Sequence, residues 1–198
     1  MLIATYLPLT LCDYPEKIAA AIFTQGCNFR CPWCHNKHLI PIAETQSKTT
    51  IDSNTLLVEV SARCHDGTLQ GLVISGGEPT VQPDLLSFLR ECKTRGIPIK
   101  LDTNGSAPEI LRACFAEGLI AFVAMDIKAP FEKYELLCGT PVNTAAITES
   151  IAAIIASGIP HQFRTTVVPE LLNDSDIAAI RALLPSSETL ITQRYRPN

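Results

Sequence analysis

Basic residues are sparse in this chain: 16 Lys and Arg stand against 20 Asp and Glu among 198 residues, a formal net charge of −4. No run of Lys or Arg occurs, so the electrostatic footprint of a nucleic-acid binder is missing and no nucleic-acid partner is expected. Long apolar runs are missing too, and Met1–Tyr6 has no charged segment leading into an apolar one. The expectation is no membrane span, no export signal and a cytoplasmic protein. Internal repeats, low-complexity tracts and linkers are absent, which suits one domain over residues 1–198. A content of 46% hydrophobic and 18% charged residues points to a packed core, not to disorder.

Cysteine, by contrast, is plentiful, with eight in the chain. In a short exported chain that number would suggest a disulfide framework; without an export signal, free thiols, metal ligands or catalytic groups are expected instead. Three of the eight cluster at Cys27, Cys31 and Cys34, and the other five are scattered.

Short apolar runs alternate with longer amphipathic ones. Strands are expected at Ile18–Thr24, Leu72–Ser75, Ile97–Leu101, Ile120–Asp126, Gln162–Val168 and Thr189–Thr192. Helices are expected at Asp52–His65, Pro83–Arg95, Pro108–Glu117, Asn143–Ser157 and Asp174–Leu184, with Asn or Asp near several starts and Gly or Pro at most stops. The longest plain loop is Pro41–Ile51. Such alternation argues for an α/β fold, a parallel sheet with right-handed crossovers, either an open doubly wound sheet or a partial barrel. Cys64, Cys92 and Cys114 fall on apolar helix faces, where a thiol acts as a small hydrophobe. Cys12 and Cys138 lie in expected loops without an assigned role. His38, His65 and His161 read as surface or loop residues.

Ligands of parallel β/α folds bind beyond the carboxyl ends of the strands. Polar and glycine-rich residues gather there in this chain: Thr24-Gln25-Gly26-Cys27, Gly76-Gly77-Glu78-Pro79-Thr80, Asp102-Thr103-Asn104-Gly105 and Asp126-Ile127-Lys128. On the fifth expected strand Arg164 and Thr166 alternate with Phe163, Thr165 and Val167, so Arg164 faces either the lumen or a surface ion-pair partner.

Cys27-Asn-Phe-Arg-Cys31-Pro-Trp-Cys34 is a C-x₃-C-x₂-C array. Thiolates suit zinc, copper(I) or iron–sulfur clusters. With His35 as a fourth ligand the array could close a zinc site. Cys31–His35 also fits the C-x-x-C-H haem-attachment pattern, although that pattern goes with export and the chain offers only Met1 and Met125 as methionine ligands. Three thiolates on a cubane cluster would leave one iron open for a further ligand.

The array with Trp33 before its last Cys, together with Gly76-Gly77-Glu78-Pro79, resembles the radical S-adenosylmethionine (SAM) superfamily. Phe23–Asn36, Ala124–Pro130 and Phe163–Pro169 are similar to anaerobic ribonucleoside-triphosphate reductase activating proteins, which are glycyl-radical activases. Leu101–Gly105 and Asp126–Lys128 are also similar to pyruvate formate-lyase activating enzyme. One position departs: after Asp13-Tyr14-Pro15 the family usually has Gly, and here Glu16 stands.

The resemblance implies a partial (β/α)₆ barrel of parallel strands. It implies a [4Fe–4S] cluster on Cys27, Cys31 and Cys34, with Trp33 packed beside it and SAM on the fourth iron. Backbone groups of Gly76, Gly77 and Glu78 would hold the methionyl amine. Asp102, Thr103, Asp126 and Lys128 would organise the methionyl end, sometimes through a monovalent cation. An adjacent Asp102–Asp126 pair would need that cation or Lys128 to offset its repulsion. The implied protein partners are a glycyl-radical enzyme, anaerobic ribonucleotide reductase, as substrate and a flavodoxin- or ferredoxin-type electron donor. A radical SAM enzyme acting on a small molecule (a deazapurine-forming one, for example) or on a peptide stays open, as does a non-catalytic iron–sulfur carrier or zinc-stabilised module. The carrier reading leaves the Gly-Gly-Glu turn unexplained.

Overall fold

The computed structural model describes residues 1–41 and 51–196. Most of the expected loop Pro41–Ile51 therefore lies outside the described residues. The sheet has seven strands: β1 (Ile3–Thr10), β2 (Ala19–Thr24), β3 (Leu72–Gly76), β4 (Ile99–Thr103), β5 (Phe122–Asp126), β6 (His161–Val167) and β7 (Leu190–Arg194), in spatial order β1 to β7. Strands β2 to β7 are parallel neighbours, and β1 pairs with β2 antiparallel. The helices are α1 (Ser53–His65), α2 (Leu85–Thr94), α3 (Pro108–Ala116), α4 (Tyr134–Cys138), α5 (Thr144–Ser157) and α6 (Asp174–Ala182).

Local signals account for most boundaries. Asp52 caps α1 by accepting from the Thr55 N–H at 2.7 Å, and Asn143 caps α5 by accepting from the Ala145 N–H at 3.1 Å. Gly158 ends α5 in the left-handed conformation that glycine takes without strain. β4 starts two residues later than the apolar run suggests, after Pro98, whose missing N–H cannot join a ladder.

Two elements exceed the sequence expectation. β1 carries Pro8 and irregular register against β2, and its side chains do not alternate cleanly between buried and exposed. Such a strand is tolerated at an edge, and its pairing with β2 defines it more than its own pattern does. The short helix α4 is the second, and its role emerges at the site. The turn before β2 explains the Glu16 departure: Glu16 has φ 60°, the sole non-glycine with positive φ among the described residues. A glycine there would remove strain of about 1 kcal/mol.

Strand alternation sorts side chains onto two faces. The hydrogen-bonded row Ile22, Ile74, Leu101, Val123 is fully buried and faces the helices, against Val60 of α1, Leu89 and Cys92 of α2, and Leu111 and Cys114 of α3. Cys92 and Cys114 are thus core residues, as expected, and Cys64 is half-buried beside them. The opposite row Ala21, Val73, Lys100, Phe122 faces inward. Tyr14 fills the bottom of that inner face against Ala19, Ala21 and Val73, its ring 5.8 Å from Phe122. The alanines of β2 leave room for the tyrosine.

One cavity is lined both by Cys27, just after β2, and by Gln193 of β7. In a flat sheet five strand spacings would set those positions about 24 Å apart, so the sheet curls around the cavity as a partial barrel. Tyr14 is its floor. Replacing it with alanine should lower unfolding free energy by about 3 kcal/mol in urea titration; a loss under 1 kcal/mol would show that the floor is not packed.

Candidate active site

The cavity opens at the carboxyl ends of the strands, and all ten residues singled out above line it: Cys27, Cys31, Cys34, Gly76, Gly77, Glu78, Asp102, Thr103, Asp126 and Lys128. Three constructions bring them there.

The first is a backbone contact. Gly76 has φ 114°, and a β-carbon on it would collide with the Phe23–Thr24 backbone. A β-carbon on Gly77 would collide with the carbonyl of Gly26. The two glycines thus let the turn after β3 lie directly on the start of the cysteine loop, where Gly77 N–H donates to Thr24 O at 2.9 Å and Glu78 N–H to Gly26 O at 2.9 Å. With those N–H groups engaged, the turn can offer a cationic ligand its carbonyl oxygens. The Glu78 side chain is buried and turned inward: it accepts from Thr80 N–H (3.1 Å) and Oγ1 (2.6 Å), Thr103 Oγ1 (2.8 Å) and Asn104 N–H (2.6 Å). Its carboxylate is a clamp between β3 and β4. Thr103 contributes its hydroxyl to that clamp.

The second construction holds the cysteine loop from above. Residues of α4 and its cap do this: Arg30 N–H donates to Cys138 O at 2.8 Å, Trp33 Nε1 donates to Leu137 O at 3.0 Å, and a β-carbon on Gly139 would strike the Arg30 carbonyl. Asn104 Nδ2 donates to Asn28 Oδ1 at 2.9 Å and ties the loop to β4. Tyr195, after β7, stacks on His35 with ring centroids 5.0 Å apart.

The third is a line of charges across the inner wall. Lys100 pairs with Asp102 Oδ1. Arg164 Nη2 lies 3.6 Å from Asp102 Oδ2, and its Nε lies 2.9 Å from Asp126 Oδ1. Lys128 Nζ lies 3.0 Å from Asp126 Oδ2 and 5.3 Å from the centre of the Trp33 ring. Arg164 therefore faces the lumen. Lys100 was not singled out from sequence, yet its place two residues before Asp102 on a strand put it on the same face. Burial alone would raise the Asp126 pKa, but Lys128 and Arg164 outweigh it and bring it down to about 2.

The donor set fits an iron–sulfur cluster. Three thiols line one wall, and Phe29 N–H points at Cys27 Sγ from 3.3 Å, a contact that favours a thiolate. Burial pushes Cys27 up to about 12 and raises Cys34. The neighbouring Cys138 thiol lowers the Cys31 pKa against the effect of burial, with Lys128 assisting. Iron binding there would therefore release protons from Cys27 and Cys34. Among the described residues no three His, Cys, Asp or Glu side chains converge on a single ion. His38 and His65 are exposed, and His161, at the far end of β6, is held by Glu188 at 3.0 Å and by Ile159 O at 2.8 Å.

Gly77→Ala should cost about 2–3 kcal/mol of stability through backbone overlap and reduce iron and sulfide content after reconstitution; wild-type loading and stability would show that the turn is not an anchor. Asp126→Asn leaves Lys128 and Arg164 short of a partner and should cost about 2 kcal/mol in the metal-free protein, less than for a wholly buried pair because the group is partly exposed. The folded pKa lies below the ordinary value, so this stability is present at neutral pH and is lost as pH falls. The gap between wild type and variant should be flat from about pH 5 to 7 and close below about pH 4. A gap that widens in acid would contradict the assignment.

Comparisons with known proteins identify the family of the chain. The family model of the radical SAM superfamily matches residues 21–184. A protein of Methanocaldococcus jannaschii named "Putative glycyl-radical enzyme activating enzyme" is 31% identical over 201 residues, covering 99% of this chain and 80% of that protein. The pyruvate formate-lyase-activating enzyme of Staphylococcus aureus (strain USA300) is 33% identical over 93 residues, 46% of this chain and 37% of that one. Among solved structures, Streptococcus suis SuiB bound to precursor peptide SuiA superposes with a TM-score of 0.65 at 15% identity, over 89% of this chain and 39% of SuiB. The chain thus spans well under half of SuiB. A structure described as native anSMEcpe with bound AdoMet superposes with a TM-score of 0.61 at 15% identity, over 87% of this chain and 50% of that one. These two likenesses are of fold. The chain belongs to the radical SAM superfamily and is a radical SAM enzyme of the glycyl-radical enzyme activating type.

Proposed function

We propose that this protein cleaves SAM reductively and uses the product radical to place a glycyl radical on anaerobic ribonucleoside-triphosphate reductase, with a flavodoxin- or ferredoxin-type protein as electron donor. The observation that carries the reading is the meeting of the three thiols, the Gly76–Gly77–Glu78 turn and the Asp102–Arg164–Asp126–Lys128 wall in one open cavity. When bound, the cluster supplies one electron to the SAM sulfonium, giving methionine and a 5′-deoxyadenosyl radical.

The chain's own residues do the positioning. Cys27, Cys31 and Cys34 would hold three irons and leave one for the methionyl group. Carbonyl oxygens of the Gly76–Glu78 turn would accept from the methionyl ammonium, while the Glu78 carboxylate keeps that turn in place. The charged wall would receive the methionyl carboxylate. Holding the sulfonium beside the electron source is a proximity effect. The cavity mouth, on the side where the strands end, would admit a glycine-bearing loop of the partner.

The test begins with anaerobic reconstitution, reduction with SAM present, and chromatography of the products. The expected product is 5′-deoxyadenosine, and Cys34→Ala should abolish it. An intact cluster that yields none would overturn the radical SAM chemistry. Mixing the active protein with the reductase should then give a glycyl-radical doublet in the EPR spectrum. Product formation without that doublet would reject this partner and leave the chemistry standing.

A further inference from the structure

Asp102, next to last in β4, and Asp126, the last residue of the neighbouring β5, both line the cavity. Two carboxylates so placed need positive charge between them, from a bound metal cation or from the protein. Their four oxygens decide the matter. Asp102 Oδ1 is taken by Lys100, and Asp102 Oδ2 faces Arg164 Nη2 at 3.6 Å. Asp126 Oδ1 accepts from Arg164 Nε at 2.9 Å, and Asp126 Oδ2 accepts from Lys128 Nζ at 3.0 Å. The neighbouring hydroxyl, Thr103 Oγ1, donates to Glu78 and accepts from Gly105 N–H at 3.1 Å. A sodium or potassium ion binds through several oxygen ligands. Here each carboxylate oxygen already faces a protein cation, so a metal ion would have to displace one.

The charge sum points the same way. Three fixed cations and two carboxylates leave the wall with one surplus positive charge. A further cation would raise that to two in a partly desolvated wall. The surplus matches a single anionic group, such as the carboxylate of the methionyl ligand. Arg164 is suited to the central place because its planar fork reaches both carboxylates from one side, which a lysine ammonium does less rigidly. It stands directly opposite Asp126 in the β5–β6 ladder. Lys100, 1% exposed, needs Asp102 as its partner and fixes that carboxylate from below.

We propose that the Arg164 guanidinium takes the place of a bound monovalent cation in this protein, so that SAM binding requires neither sodium nor potassium. This rests on the radical SAM reading of the cavity and goes beyond it by assigning Arg164 as the positioning residue of the methionyl subsite.

The test measures SAM affinity of the reconstituted holoenzyme by equilibrium dialysis in sodium, potassium or tetramethylammonium chloride at equal ionic strength. Wild-type affinity should agree within about twofold across the three salts. Arg164→Gln frees two carboxylate oxygens and should weaken binding about tenfold or more in tetramethylammonium, with part of the loss restored by sodium or potassium. Arg164→Lys keeps the charge and should stay indifferent to the salt. Wild-type binding that needs sodium or potassium overturns the proposal. So does an Arg164→Gln protein that binds weakly and equally in all three salts, since a merely structural arginine would behave that way. If Arg164→Gln does not fold, the wild type and Arg164→Lys decide by the same criterion. Failure of the wild type to bind SAM in any salt would instead strike the radical SAM reading itself, and the proposal with it.

Discussion

The site depends on one close approach of backbone to backbone. Gly76 and Gly77 lie against Thr24 and Gly26 with no space for a β-carbon between them. That contact sets the cysteine loop directly above the turn that would hold the methionyl amine, and two hydrogen bonds, from Gly77 and Glu78 N–H, fix its register. A side chain at either glycine would lift the loop off the sheet. The Glu78 carboxylate completes the joint by fastening the same turn to Thr103, the last residue of β4, and to Asn104 just after it. Three strand ends are thereby set relative to one another before any ligand is bound, which is the preorganisation that a positioning site requires.

Burying charge in the barrel wall is costly unless each charge is paired. The chain meets this by alternating signs: Lys100, Asp102, Arg164, Asp126, Lys128. The depressed Asp126 pKa follows from that order, since its two cationic neighbours more than offset the effect of burial. Below this wall the inner face turns apolar, with Tyr14 and Phe122 closing the bottom. The lumen is therefore polar where a ligand would sit and dry beneath it.

Much of this could be read from residues alone. The alternation of strand and helix, the caps at Asp52 and Asn143, and the stop at Gly158 are local signals, and the structure places elements there. The gathering of polar residues after successive strands identified the rim of the cavity, because parallel strands all end on one side. β1 and α4 escaped for different reasons. β1 is defined by its partner strand, and α4 is a five-residue helix whose apolar positions are too few to show a period. Yet α4 supplies Leu137 and Cys138, and its cap Gly139, which hold the cysteine loop in place. Cys138, without a role in sequence, accepts at its carbonyl from Arg30 N–H and so helps seat the cysteine loop.

Residue type and spacing alone indicate a soft-ligand site, three thiols at C-x₃-C-x₂-C spacing, beside a Gly-Gly-Glu turn and two acidic strand ends. Those features are local in the chain, and their chemistry follows from residue type and spacing. The pairing of the charges was decided only by the tertiary structure. Arg164 read equally well as a surface or a lumen residue, because alternation assigns a face without saying what stands across from it. Its partners, Asp102 and Asp126, lie 62 and 38 residues away in the chain and meet it only where the sheet curls. Curvature and register are properties of the whole sheet, so the counter-charge in the site became visible only there.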